Sequence, residues 1–338
     1  MRTFLSLHLF AAAVVAAVLA GSTSAADADT LKIGIIGLDT SHAPAFAKTF
    51  NADPADPEML NCRVVAAYPY GSSKIESSAS RIPKYTEQMS EMGIEIVDSI
   101  DALLERVDCV LLETNDGTLH REQAAQVIAA GKTMFIDKPV AADLVDTLAI
   151  YRLADKHDVP IFSSSSLRYT DGAQAIRSGK HGQVLGCDAY SPCALEPSHT
   201  DLVWYGIHGV ETLFTCMKAG CESVTRTSTD DFELVVGKWS DGRIGTFRGL
   251  RTGKRGYGGT AFTDKAIQQI GDYQGYRPLV VEIAKFFRSG KPPIDPQETI
   301  EMYAFMEAAD ESKRRGGEPV TIAEVMKAAQ QKLDAEAK

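Results

Sequence analysis

The stretch Leu31-Lys32-Ile33-Gly34-Ile35-Ile36-Gly37, followed at once by Leu38-Asp39-Thr40-Ser41-His42, decides the fold. Its first seven residues are an apolar run of the length and β-branched content of a buried strand. Asp39, Thr40 and Ser41 are helix-start residues, and the pattern from Ala43 to about Phe50 is helical. The same strand-then-helix unit recurs downstream. Arg63 to Tyr68 and Ile94 to Val97 read as strands, Ser99 to Glu105 as a helix, and Asp108 to Leu112 as a strand apolar on both faces. A helix from Arg121 to Ala130 stops at Gly131, and strand Thr133 to Ile136 runs into Asp137-Lys138-Pro139. Helix Leu144 to His157 and strand Ile161 to Ser163 complete the series. Alternation of this kind requires crossover connections, and hence a parallel sheet covered by helices on both sides.

From about Gly182 the rhythm changes. Val184 to Tyr190, Ser223 to Thr227, Phe232 to Trp239, Ile244 to Leu250 and Gly259 to Phe262 are successive strands, with Ser240-Asp241-Gly242 turning one hairpin. A helix at about Tyr205 to Met217 interrupts them, and helices at Leu279 to Arg288 and Gln297 to Arg314 follow. The expected fold class is α/β. A Rossmann-like, doubly wound parallel sheet spans residues 30–160, and an α+β domain with a mostly antiparallel sheet spans 161–338.

Lys and Arg total 35 against 45 Asp and Glu, a formal charge of −10 that gives no field to attract a polyanion, so nucleic acid is not an expected partner. Arg2, the apolar run Leu5 to Ala20 and the small residues Thr23-Ser24-Ala25 read as a cleaved signal peptide over residues 1–25. Export to the periplasm is the expected localisation, with no membrane insertion after cleavage. The six cysteines do not space like a disulfide scaffold; Cys187 with Cys193, or Cys216 with Cys221, are local pairs that could bridge. No short spacing of ligands supports a metal site, and none is expected.

Three stretches resemble the Gfo/Idh/MocA family of sugar and polyol dehydrogenases: Val107 to Asn115 followed by His120; Ala130-Gly131-Lys132 with Ile136-Asp137-Lys138-Pro139; and the tail Phe286 to Pro293 with Ala308 to Ser312. The second is similar to that family's Glu-Lys-Pro motif with Asp in place of Glu. The resemblance implies NAD or NADP as cofactor, a small-molecule carbohydrate substrate and, by analogy, a homo-oligomer.

A dinucleotide fold sets the pyrophosphate against backbone N–H groups at a helix start, over a glycine-rich turn. Gly37 keeps the first glycine, whereas Asp39 and His42 stand at the second and third places. Asp39, Thr40 and Ser41 then either cap the helix, or Thr40 and Ser41 donate hydroxyl hydrogen bonds to phosphate. Where an acid would hold the adenine ribose stands Pro69, followed by Ser72, Ser73 and Lys74, which read as a solvated loop or a 2′-phosphate site. By resemblance, Asn115, His120 and Lys138 are cofactor-side candidates.

Lys138 follows a strand at the carboxyl edge, where open α/β sheets bind ligands; the resemblance implies that it hydrogen-bonds the substrate oxygen during hydride transfer. His208 lies in a helix similar to the family's Asp-x-x-x-His stretch, with Trp204 in the Asp place, and its near-neutral pKa suits an acid/base. Tyr205 or Asp201 could orient it, and Trp204 could stack on a sugar. Asp39, His42, Tyr190, Glu196, His199, Asp201, Arg226 and Arg248 are expected around the mouth.

The expected function is therefore an NAD(P)-dependent oxidoreductase acting on a sugar, glycoside or polyol, with the cofactor tightly held if the protein is exported. Two alternatives stand beside it. One is a glycoside-cleaving or epimerising enzyme using NAD with no net redox; the other is a carbohydrate-binding protein that has lost the nucleotide.

Overall fold

A computed structural model describes residues 30–336; the expected signal peptide lies outside them. In chain order the first half runs β1 (Leu31–Ile36), α1 (His42–Phe50), β2 (Cys62–Tyr68), α2 (Glu76–Ala79), α3 (Ile82–Glu91), β3 (Glu95–Ile96), α4 (Ile100–Leu104), β4 (Cys109–Leu112), α5 (His120–Ala129), β5 (Thr133–Asp137), α6 (Leu144–Lys156) and β6 (Ile161–Ser164). These strands form one parallel sheet in the order β3-β2-β1-β4-β5-β6. The order reverses between β1 and β4, which opens a crevice at their carboxyl ends. All four residues of β4 are buried, as an apolar run with helices on both sides demands. Side-chain caps start two of the covering helices: Ser99 Oγ accepts the Ala102 N–H at α4, and an Asp143 carboxylate oxygen accepts the Asp146 N–H at α6.

The second half begins with α7 (Asp171–Arg177), β7 (Val184–Pro192), α8 (Asp201–Trp204), α9 (Ile207–Met217), β8 (Cys221–Ser228), β9 (Phe232–Trp239) and β10 (Ile244–Leu250). It continues with β11 (Gly258–Thr263), β12 (Ile267–Gln269), α10 (Arg277–Ser289), α11 (Pro296–Arg314), β13 (Val320–Thr321) and α12 (Ile322–Glu336). Seven strands pair in the order β12-β11-β7-β10-β9-β8-β13. β9 and β10 form the expected hairpin, with Phe232 opposite Leu250, and only β7 with β10 is parallel.

The expected division at residues 160 and 161 does not match the architecture. Strand β6 pairs with β5 inside the first sheet. Helix α10 also returns to the first half, where Phe286 meets Phe162 edge-on at 4.8 Å within a core that includes Phe46, Phe135 and Ile283. The first unit thus takes a strand and a helix from beyond 160, because both carry apolar faces that only this sheet can cover.

The cysteine pairs are corrected as well: all six are buried free thiols, and Cys187 neighbours Cys216 across the α9–β7 contact rather than Cys193. A buried ion cluster locks α9 in place. Arg168 reaches Glu211 of α9 at 2.5 Å and Glu298 of α11 at 2.6 Å, while the Ser164 hydroxyl donates to Glu211 at 2.8 Å. Each charge is paired, as burial requires, and the cluster fixes the helix that carries His208.

Candidate active site

The crevice holds a cavity of about 320 Å³ lined by Thr40, Ser41 and His42 from the start of α1, Asn115 from the β4 end, and Lys138 from the β5 end. Its opposite wall is Trp204, Tyr205 and His208 from α8 and α9, with Tyr257, Tyr273 and Tyr276 closing it. The topology thus brings Lys138, His208, Tyr205, Thr40, Ser41 and Asn115 to one place. Larger depressions elsewhere lack this convergence; one lies between α6 and the α10–α11 segment.

Lys138 is 7% exposed, and its ammonium makes no hydrogen bond or ion pair among the described residues. Such a group in a cavity is poised to donate to a ligand oxygen. His208 is buried, and its Nδ1 lies 2.8 Å from the Ser165 hydroxyl, which also accepts the Leu167 N–H. Burial first, then the nearby Lys138 charge, hold its pKa well below the ordinary histidine value, so the ring is neutral at pH 7. Tyr205 stands edge-on to His208 at 5.2 Å, and its hydroxyl meets that of Tyr257 at 3.4 Å.

Gly37 has φ +97°, and a Cβ there would stand 2.4 Å from the Thr114 N, so only glycine lets β1 turn beneath the β4 end. Asp39 does not cap α1, as one reading of the sequence had it. Its side chain crosses the crevice, accepting the Asn115 N–H at 2.9 Å and the Ser72 N–H at 3.3 Å. Burial, opposed by those hydrogen bonds, raises its pKa to about 6. Ser72 is accordingly buried and tied to Asp39, not part of a solvated loop. Nor does Ser41 cap α1 through its side chain; the Thr40 hydroxyl weakly accepts the His42 N–H at 3.4 Å.

His120 does not reach the cavity. Its Nε2 meets the Thr114 carbonyl at 2.6 Å and its Nδ1 the Val140 carbonyl at 3.1 Å, so the buried ring ties the β4 end to the β5 end from behind. Six residues expected at the mouth, Tyr190, Glu196, His199, Asp201, Arg226 and Arg248, do not line the cavity, and Asp201 pairs with Arg226 and Lys313 rather than orienting His208. Arg226 is buried among Asp201, Glu233 and Asp310, and His199 accepts the Gly117 N–H. Arg248 is exposed on β10. Sequence reading missed Arg81, Tyr257, Tyr273 and Tyr276, and read Ser165 only as one of four loop serines, Ser163 to Ser166, with possible hydroxyl contacts. The recurring Gly and Tyr between Arg251 and Arg277 are the signal for the tyrosines, because loops that fold over a ligand need both turns and flat amphipathic rings.

Does a dinucleotide fit these residues? The N–H groups of Thr40 and Ser41 form no hydrogen bond among the described residues, their hydroxyls line the cavity, and the Gly37 turn is preserved. Those features suit the pyrophosphate and the nicotinamide end. The Asp39 carboxylate stands where the second glycine would let phosphate approach, and opposes binding by its charge.

Comparison with known proteins agrees with this reading of the fold. Residues 31–165 match the model of an oxidoreductase family with an NAD-binding Rossmann fold. Over that stretch, less than half of the chain, it is similar to the Gfo/Idh/MocA oxidoreductases. An uncharacterised oxidoreductase of Streptococcus pneumoniae is 27% identical over 103 residues, 29% of this chain and 28% of that protein's length. The scyllo-inositol dehydrogenase of Lactobacillus casei, solved with NAD(H) and scyllo-inositol, superposes with a TM-score of 0.69 at 15% identity, over 87% of this chain and 99% of its own. UDP-N-acetylglucosamine 3-dehydrogenase GnnA of Acidithiobacillus ferrooxidans gives 0.65 at 15% identity, over 83% and 98%. The order of the parallel strands is the fold shared with these solved structures.

Proposed function

We propose that the protein is an NAD(P)-dependent oxidoreductase acting on a secondary hydroxyl of a polyol, sugar or glycoside. The observation that carries this reading is the buried, unpartnered Lys138 ammonium facing His208 and Tyr205 across one cavity at the sheet's switch point. Thr40, Ser41 and Asn115 would hold the dinucleotide, whose chemistry is to accept and return a hydride. Lys138 donates a hydrogen bond to the substrate oxygen and stabilises charge as it develops there. In the tautomer that donates from Nδ1 to the Ser165 oxygen, His208 presents an Nε2 lone pair that takes the hydroxyl proton. Tyr205 and Trp204 bind the apolar faces of a sugar ring, as amphipathic aromatics do.

If the chain is exported, as residues 1–25 lead us to expect, a permanently held nucleotide fits best, because free nucleotide is scarce outside the cytoplasm. Among the described residues no helix is long and apolar enough to cross a membrane. Leu185, Ile244 and Ile267 are 51%, 56% and 74% exposed on the second sheet, which supports association with a second copy. Asp39 favours a second reading, a carbohydrate-binding protein without nucleotide.

The test is to denature the purified protein and assay released NAD(H) and NADP(H), then to incubate it with polyols and glycosides and score NADH formation against bond cleavage. Net reduction of nucleotide supports the dehydrogenase; cleavage without reduction transfers the same residues to the transient-redox alternative. Neither nucleotide release nor binding on titration would refute both.

Asp39 yields a pH prediction. Its pKa is raised from about 4 in the unfolded chain to about 6 in the fold, so between those values the native state holds more protons. Stability should therefore fall as pH rises from about 4 to about 6, by at most about 3 kcal/mol. Asp39→Asn should flatten that slope in urea titrations. Nucleotide affinity should fall over the upper part of the same interval as the carboxylate becomes charged, and Asp39→Gly should raise affinity at pH 8 about tenfold, or about 1.4 kcal/mol. Equal affinity at pH 5 and pH 8 would show that Asp39 does not oppose the phosphates.

Ser165→Ala is expected to lower kcat about tenfold with little change in KM, because it frees the imidazole to adopt the unproductive tautomer. Steady-state kinetics on the variant decide this.

A further inference from the structure

We propose that His42, Glu113 and Asp137 form a binding site for a divalent metal ion, zinc or manganese, at the base of the cavity. The three residues come from the start of α1 and from the ends of the neighbouring strands β4 and β5, and their donor atoms all lie within 4.8 Å of one another. Glu113 is fully buried, and neither of its carboxylate oxygens has a hydrogen-bond partner among the described residues. Asp137 Oδ1 and His42 Nδ1 are likewise buried and unpartnered. His42 Nδ1 approaches Asp137 Oδ2 to 2.7 Å, but without the alignment of a hydrogen bond. Four buried polar atoms, Glu113 Oε1 and Oε2, Asp137 Oδ1 and His42 Nδ1, thus turn on one point with only the poorly aligned His42 ring between them as a donor and the Lys138 charge nearby, an arrangement that folding otherwise avoids.

A cation satisfies all of them at once. One imidazole and two carboxylates suit zinc or manganese rather than a soft thiolate metal. Tetrahedral donors at about 2.0–2.2 Å from zinc stand about 3.4 Å apart, a spread that this cluster spans. The side chain of His42 is 12% exposed and the residue lines the cavity, whereas Glu113 and Asp137 are walled in, so the open coordination position lies on the cavity side. It would take a water or a substrate hydroxyl oxygen. The site was not legible as a motif because its ligands come from three separated segments, although His42 and Asp137 are two of the departures from the family pattern, and here they meet. This inference does not rest on the nucleotide reading.

The test uses the purified full chain, stripped with chelator, dialysed and titrated with Zn²⁺ and with Mn²⁺ by calorimetry, with thermal unfolding alongside. The expected result is about one equivalent of ion bound and a thermal midpoint raised by at least about 5 °C at saturation. Glu113→Gln and Asp137→Asn preserve side-chain volume; both are expected to fold and to bind at least about 100-fold more weakly. Binding of equal strength in Glu113→Gln would overturn the proposal, since it would place the ion elsewhere, such as on the buried thiols. Absence of binding by the wild type, with Glu113→Gln at least as stable, would also overturn it and identify Glu113 as a neutral buried acid.

Discussion

Replacing Lys138 with alanine is expected to lower kcat at least about 100-fold while leaving the fold intact. The ammonium is buried at the β5 end, faces the cavity and has no acceptor within hydrogen-bond or ion-pair distance among the described residues, although its charge acts on the buried Glu113 and Asp137. What disappears is a preorganised donor at the oxygen where charge develops, and a single such donor is worth roughly 10²–10³ in rate. Because the interaction strengthens in the transition state, kcat and kcat/KM should fall together. Lys138→Met, which keeps most of the side-chain length, should be as impaired as Lys138→Ala. A rate near that of the wild type in either variant would retire Lys138 from the chemistry.

His208→Ala is expected to have an effect of similar size, at least about 100-fold on kcat, which is the scale of a lost general base. The pH profile separates this role from a structural one. Burial and the Lys138 charge keep the ring neutral well below its ordinary pKa, so wild-type activity should not fall as pH drops through 6.5. A variant that merely loosened α9 would lose stability and substrate affinity as well. That helix is held independently by Glu211, which accepts from Arg168 and Ser164, so the variant should unfold at nearly the wild-type denaturant midpoint. Unchanged turnover in His208→Ala would assign the residue to packing.

The first sheet could be read from the sequence because its strands are apolar on both faces and punctuated by helix-start residues; β4 and its turn to Asn115 follow that logic throughout. The boundary at 160 failed for a related reason. The strand Ile161 to Ser163 was already read as completing the first series, so the boundary cut one strand short, while the apolar face of α10 carries no mark of which sheet it covers, since only tertiary packing decides that. Within the site, Lys138, His208, Tyr205, Thr40, Ser41 and Asn115 were visible through their positions at strand ends and helix starts. His120 was misplaced because a histidine at a helix start reads the same in sequence whether its ring faces the crevice or turns behind it. The side chain of Asp39 was legible as a charge in the wrong place, but its route across the crevice to Ser72 and Asn115 depends on long-range geometry. Glu113 carried a signal that went unused: a carboxylate directly after the buried run Cys109–Leu112.

Everything catalytic in this account requires a nucleotide in the crevice despite Asp39. Equilibrium titration of the protein with NADH and NADPH, followed by nicotinamide fluorescence in wild type and Asp39→Gly, tests that directly. The account predicts saturable binding of one nucleotide per chain in the wild type, tightened about tenfold in the variant. Failure of both proteins to bind either nucleotide would contradict it.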